Sequence, residues 1–258
     1  MSKLIVTLVL LASAVAAADP PTPPTPEAIV EAADRARNPQ QAFRMTLALV
    51  DYERARVRDR VVLAVHAKPD KGSGRFRNVV RYVEPPRDAG KLVLLDASKM
   101  WFYDPASKTS VRISAQQRLT GQASNGDVLT VNLARDYRAK LVGEEALKDA
   151  DHTDRRAWHL DLTAATSDAI YSRLEYWVEV DTFRAIKAKF YSDSGRVLKI
   201  AYYRKFAEVL GGTRPTETVI IDAVDANLLT TVTATDYAAR DIPDAWFQRD
   251  YLPRMVAE

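Results

Sequence analysis

The chain has 258 residues, with 37 lysines and arginines against 34 aspartates and glutamates, a formal charge of +3 and no cysteine. The missing cysteine excludes a disulfide scaffold, a thiolate metal site and a lipoprotein anchor, which needs a cysteine directly after its cleavage point. The balanced and interspersed charge excludes a nucleic-acid-binding tract.

Lys3, the apolar run Leu4 to Val15 and the small residues Ala16-Ala17-Ala18 before Asp19-Pro20 have the layout of a secretory signal peptide over 1–18. The run is shorter than the roughly 18 residues needed to cross a bilayer, so cleavage and release outside the cytoplasm are expected instead of a retained anchor. A proline-rich spacer follows over 19–26 and cannot pack as helix or strand. Glu27 to Arg37 predicts a short amphipathic helix with Ile29, Val30 and Ala33 on one side and Asn38-Pro39 as its stop.

From Phe43 the period changes to two. Strands are predicted at Phe43 to Leu49, Val61 to Val65, Phe76 to Val83, Leu92 to Leu95, Met100 to Tyr103 and Thr109 to Ile113. They resume at Tyr137 to Gly143, Ala157 to Thr163, Arg173 to Val180, Ala185 to Asp193, Val197 to Phe206, Glu217 to Ala223 and Leu228 to Asp236. Between the two sets, Ser114 to Asp136 has no alternation and reads as an excursion containing short helices. Short turns, Asp193-Ser194-Gly195 the clearest, imply antiparallel neighbours. The fold expected is mainly β with a few short helices: a single strongly curved antiparallel sheet forming one domain over 27–258. Arg54, Arg56, Arg58 and Arg60 have the spacing of one strand face, solvated or else docking an acidic partner.

Several strands carry bulky residues on both faces. Met100 and Phe102 oppose Trp101 and Tyr103, and Tyr176 neighbours Trp177. Both faces of such a sheet need partly apolar surroundings. Either the helices fill the concave side completely, or they cover it as a lid and leave an apolar cavity. The pattern leaves both open.

Catalytic chemistry finds little support. His159 and Asp161 have the spacing of one strand face, opposite Trp158, Leu160 and Leu162, and are expected to face solvent. Gly72-Ser73-Gly74 is too short for a phosphate loop, and Ser194-Gly195 lacks the preceding glycine of a nucleophile elbow. No catalytic residue, metal ligand or cofactor is predicted.

Lys99-Met-Trp-Phe-Tyr-Asp-Pro105, with Thr109-Ser-Val-Arg-Ile113 after a short turn, resembles the strand-turn-strand segment of the LolA-like periplasmic lipoprotein carriers. Pro85-Pro86-Arg87-Asp88, Arg112-Ile113-Ser114 with Arg118, Gly126-Asp127, and Ile242-Pro243-Asp244-Ala245-Trp246-Phe247 with Tyr251-Leu252 keep the order of the broader outer-membrane lipoprotein-sorting-like branch. The resemblance spans roughly Glu27 to Leu252. It implies an open, unclosed β-barrel with a helical lid over an apolar cavity, and a periplasmic carrier that moves a lipid, or the acyl chains of a lipidated molecule, between inner and outer membrane. Its partners would be that cargo, an inner-membrane lipid exporter and an outer-membrane acceptor, with transient membrane contact and a monomeric carrier. A lipid-sensing regulatory subunit and a secreted hydrolase are the alternatives. Phe43, Met45, Leu47, Trp101, Tyr103 and Tyr176 are expected to lie toward the apolar interior, some of them lining the cavity. A shift of one residue in register would reverse that assignment. Lid hinges are expected near Gly121 and Gly126.

Overall fold

The computed structural model describes residues 23–96, 99–167 and 169–255. The expected signal peptide lies outside the described residues, as does the spacer up to residue 22.

Helix α1 (Pro26–Arg37) starts where the Thr25 hydroxyl accepts the Ala28 N–H, with Pro26 in its first turn, and ends at Asn38. Strands β1 (Phe43–Glu53), β2 (Arg56–Pro69), β3 (Phe76–Glu84), β4 (Leu92–Asp96), β5 (Lys99–Asp104) and β6 (Thr109–Ile113) follow. The interposed segment carries β7 (Arg118–Thr120), β8 (Ala123–Ser124), a 3-10 turn (Asn125–Val128) and α2 (Leu133–Asp136). The chain then runs through β9 (Tyr137–Lys148), β10 (Asp154–Ala164), β11 (Arg173–Glu179), β12 (Ala185–Tyr191), β13 (Val197–Val209), β14 (Gly212–Asp222) and β15 (Leu228–Ala239). It closes with two 3-10 turns and α3 (Leu252–Met255).

Thirteen of these strands form one antiparallel sheet in the order β6-β5-β4-β3-β2-β1-β15-β14-β13-β12-β11-β10-β9, and they fall on the thirteen alternating runs of the sequence. Short turns make each strand pair with its successor, so the chain lays down two meanders. They are joined where β1 pairs with β15, through Leu47↔Ala234 and Leu49↔Val232 among other positions. The edges β6 and β9 remain unpaired with each other among the described residues, which leaves the barrel open.

This order dictates where the excursion must go. Because β6 and β9 lie at opposite edges, residues 114–136 have to cross the whole sheet. They do so on the concave side beside α1, so the covering lid is a consequence of topology. The main core joins Leu47, Leu63 and Met100 from one meander with Leu160, Tyr176 and Ile220 from the other. Ile29 and Val30 of α1 and Val128 and Leu133 of the crossing segment pack into the same cluster.

The two-faced strands are accounted for by covers on both sides. In β5, Met100 and Phe102 join the concave core. Trp101 and Tyr103 point the other way, into a separate cluster with Val79, Leu92 and Leu94 that the C-terminal residues Ile242, Trp246, Phe247 and Leu252 seal. Further along the convex face Trp177 stacks on His159 at 4.4 Å between centroids. Lys187 and Lys189 stand over its ring at 5.0 and 5.3 Å.

The four clustered arginines do not form one continuous face. Arg54 lies in the β1–β2 turn with φ 49°, while Arg58 and Arg60 pair with Glu53 and Glu84 at the surface.

Candidate functional site

The inward-facing positions of the sheet and the crossing segment border a partly open inner cavity of about 160 Å³. Phe43, Met45 and Leu47 of β1, Tyr176 of β11 and Phe190 of β12 line the sheet side; Val128, Leu129 and Leu133 line the lid side. The alternation that places Leu47 opposite Leu63 and Ala234 sends every second residue of the ladder to this face.

The lid lacks a continuous ladder to the main sheet and is held by side chains. The amide of Asn78 on β3 donates to Thr130 O at 2.9 Å and accepts from Thr130 N–H at 2.9 Å, so a side chain acts here as a strand would. The Asn38 amide and the Arg37 guanidinium donate to Val131 O at 2.8 and 3.0 Å. Asp34 accepts from Ala134 N–H at 2.8 Å and pairs with Arg37 at 2.8 Å. Burial pushes the Asp34 carboxyl up, against the opposing pull of Arg37.

At the other end of the lid Lys199 of β13 forms an ion pair with Asp127, their side chains only 5% and 9% exposed. Lys199 also donates to the Ser124 hydroxyl at 3.1 Å, and the Tyr171 hydroxyl donates to Asp127 at 3.0 Å. The Thr120 hydroxyl donates to Asp59 at 3.0 Å, and Gln122 N–H to the Thr230 hydroxyl at 2.8 Å. Burial pushes the Tyr137 hydroxyl up to about 12 and drives Tyr171 up as well, so these phenols stay protonated around neutrality.

A larger outer cavity, about 640 Å³, lies on the other side of the strap Leu129–Val131. Leu95, Met100 and Ile113 give it apolar wall, and Arg75, Arg77 and Arg112 line it too, along with Asp70 and Asp136. Leu129, Thr130, Val131, Asp136 and Ile170 line both cavities, so the strap is the partition between them.

Phe43, Met45, Leu47 and Tyr176 are therefore brought together on the inner cavity, whereas Trp101 and Tyr103 stand on the opposite face of the sheet. Gly126 lies on the cavity wall, where an added Cβ would sit 2.7 Å from the Ile170 side chain. Gly121 turns the β7–β8 hairpin with φ 49°; a Cβ there would fall 2.2 Å from Asp51 and 2.3 Å from Thr230. His159 and Asp161 form no site with each other. Asp161 pairs with Arg173 at 2.8 Å, and His159 is sandwiched against Trp177 instead of facing solvent. Among the described residues no group of three or more His, Asp or Glu side chains is placed to hold a metal ion.

Sequence reasoning missed Arg37, Asn78, Asp127 and Lys199 as lid anchors. Lys199 left a trace: it occupies the same face of β13 as Ala201 and Tyr203, a charge in an apolar alternation that becomes visible only once the register is known.

A crystal structure of a LolA superfamily protein from Nitrosomonas europaea matches with 32% identity and a TM-score of 0.78 over 88% of this chain and 99% of that one. The chain belongs to the LolA superfamily. Two further structures share the fold. A putative outer membrane lipoprotein-sorting protein domain from Vibrio parahaemolyticus has 15% identity and a TM-score of 0.71, over 88% of this chain and 98% of that one. A DUF1329 family protein from Desulfovibrio piger has 19% identity and a TM-score of 0.72, over 88% and 97%. A family model described as an uncharacterized protein matches residues 74–254. No match was found among curated proteins. No helix among the described residues of this LolA superfamily chain is long and apolar enough to cross a membrane.

Proposed function

We propose that the protein is an exported periplasmic carrier that shelters an acyl chain of a lipid or lipidated molecule beneath its lid and transfers it between membranes. The observation that carries this reading is the inner cavity itself: a largely apolar space between a curved sheet and a lid that side chains fasten at both ends.

Each buried methylene contributes about 0.8 kcal/mol, so a dry cavity holds an acyl chain without specific polar contacts. At 160 Å³ the inner cavity takes roughly five groups of water or methylene size. A longer chain reaches past the strap into the outer cavity, which requires the strap to move. Lid motion of that kind is a two-state change that a membrane partner or the cargo itself can bias. In this reading the cavity residues bind and release, and none performs covalent chemistry. An inner-membrane exporter would load the carrier and an outer-membrane acceptor would unload it.

The test is titration of the purified protein with a fluorescent long-chain fatty acid. Saturable uptake at one probe per protein, with a blue-shifted emission, is expected. Emission that stays that of the probe in water at all protein concentrations would overturn the reading.

A further inference from the structure

The convex face of the sheet carries a row of cations that the chain's own carboxylates leave unanswered. Strands β3, β2, β1 and β15 lie side by side there. Arg44 of β1 stands directly opposite His66 of β2, and Arg81 of β3 stands opposite Ala64, one same-face step from His66. Arg240 follows β15, two residues past Ala238, which pairs with Arg44; its N–H bonds to Ala42 O at 3.1 Å and extends the ladder. Trp246 fixes the two central members on one side, with the His66 ring and the Arg240 guanidinium each 5.2 Å from its own.

Arg44 and Arg240 are exposed and Arg81 is half-buried, and none of the three has a carboxylate in ion-pair reach among the described residues. Asp244, close by, is taken by Lys68 and Arg77 at 2.8 and 2.6 Å. The imbalance registers at His66, where burial and the three arginines keep the imidazole neutral. Like charges gathered on one face attract an anion from outside the chain. From Arg81 to Arg240 is three strand spacings, roughly 14 Å, too wide for one phosphate or carboxylate and suited to a plane of several. Guanidinium groups match phosphate oxygens in two-pronged pairs. Alongside them on the same face lie Thr46, Ala48 and Ala64, small side chains that offer a protein partner little to grip beyond charge. On the opposite face of the same strand ends, Phe43 and Tyr237 line the inner cavity.

We propose that Arg44, Arg81 and Arg240 form a docking surface for the phosphate headgroups of an anionic lipid membrane, holding the cavity end of the sheet at the bilayer. This adds to the carrier reading the face by which the protein meets a membrane, and its test does not depend on the cargo. Each arginine beside an anionic bilayer is worth about fivefold in partitioning, about 1 kcal/mol, so the three together give roughly a hundredfold. Contact of that strength is reversible.

The experiment sediments the protein with vesicles of phosphatidylcholine alone, or mixed equally with phosphatidylglycerol, at low and high salt. Wild-type protein is expected to sediment with the anionic vesicles at low salt, and to stay in solution at high salt or with phosphatidylcholine alone. The triple variant Arg44→Gln, Arg81→Gln, Arg240→Gln is expected to partition roughly a hundredfold less, and the corresponding triple lysine variant to keep most of the binding. A control with the same loss of charge elsewhere, Arg56→Gln with Lys108→Gln and Arg196→Gln, is expected to lose less than fivefold. Should the triple glutamine variant fail to fold by its melting curve, Arg44→Gln alone carries the test with a fivefold loss.

Equal losses in the control and the arginine variant would overturn the surface in favour of net charge. Wild-type protein that ignores anionic vesicles, or binds phosphatidylcholine as well, would overturn it too. Capture by polyglutamate without vesicle binding would overturn the lipid assignment in favour of an acidic protein. Uptake of the fluorescent fatty acid, measured on the same preparations, separates these outcomes from failure of the carrier reading.

Discussion

Replacement of Asp127 by alanine isolates the fastening of the lid. In the closed lid Lys199 would be left with 5% of its side chain exposed and no carboxylate beside it. Breaking one half of a buried ion pair costs about 3–5 kcal/mol, because the remaining charge stays desolvated. Most of that cost belongs to the closed state, since lifting the lid returns Lys199 to water. With about 1.4 kcal/mol per tenfold change, even 3 kcal/mol raises the open population roughly a hundredfold. Hydrogen exchange reads this at amides bonded within or beneath the lid. These are Gln122 to the Thr230 hydroxyl at 2.8 Å, Gly126 to Ala115 O at 2.8 Å and Thr130 to the Asn78 amide at 2.9 Å. Peptides spanning 116–132 are expected to exchange far faster in the variant while β1 peptides keep their protection. The double variant Asp127→Ala with Lys199→Met, which removes the orphaned charge, is expected to restore much of the protection. Unchanged exchange over 116–132 in the single variant would refute the idea that this pair holds the lid.

Three other perturbations follow from the geometry. Gly121→Ala forces a Cβ into Asp51 and Thr230 at a left-handed φ, so the β7–β8 hairpin must lift. A probe dye is expected to enter and leave the cavity faster, with the melting temperature down by a few degrees; unchanged dye kinetics would contradict this. His66 packs at 5.2 Å against Trp246, and burial with the nearby Arg240, Arg44 and Arg81 lowers its pKa from 6.5 to about 4. The unfolded chain therefore takes up a proton that the folded one refuses, and stability falls as the pH drops from about 6.5 to about 4. The slope is at most about 1.4 kcal/mol per pH unit, less the screening by solvent. Urea titrations across that range are expected to give a flatter profile for His66→Phe. Trp101→Glu places a charge under the C-terminal cover, where Arg249 stands 4.8 Å from the indole. Stability is expected to drop by roughly 1–3 kcal/mol with acyl-probe affinity per folded molecule unchanged, and a selective loss of binding would contradict the placement of Trp101 outside the cavity.

The fold was largely legible because an antiparallel meander writes its strands as a period-two pattern, and short turns leave each strand few neighbours to choose. The lid's position needed one further fact, that β6 and β9 occupy opposite edges, and pairing order is a long-range property that local alternation does not encode. Facing was harder. Phe43, Met45 and Leu47 of β1 turn toward the cavity, but Met100-Trp101-Phe102-Tyr103 has equal bulk on both sides. Its register is decided by the C-terminal residues Ile242 to Met255, more than a hundred positions away, which claim Trp101 and Tyr103. The lid anchors were least legible, since Asn78 and Lys199 read as ordinary strand polar residues until the crossing segment is laid over them.

The central claim, that the space under the lid is occupied by acyl chains in the working protein, is tested most directly by native mass spectrometry. The protein would be purified from its native cells without detergent, and the bound molecules extracted and identified. A one-to-one adduct whose extracted mass is that of an acyl-chain lipid or a lipidated molecule is expected. Protein that emerges only at its bare mass, and stays so after incubation with lipid vesicles, would contradict the account.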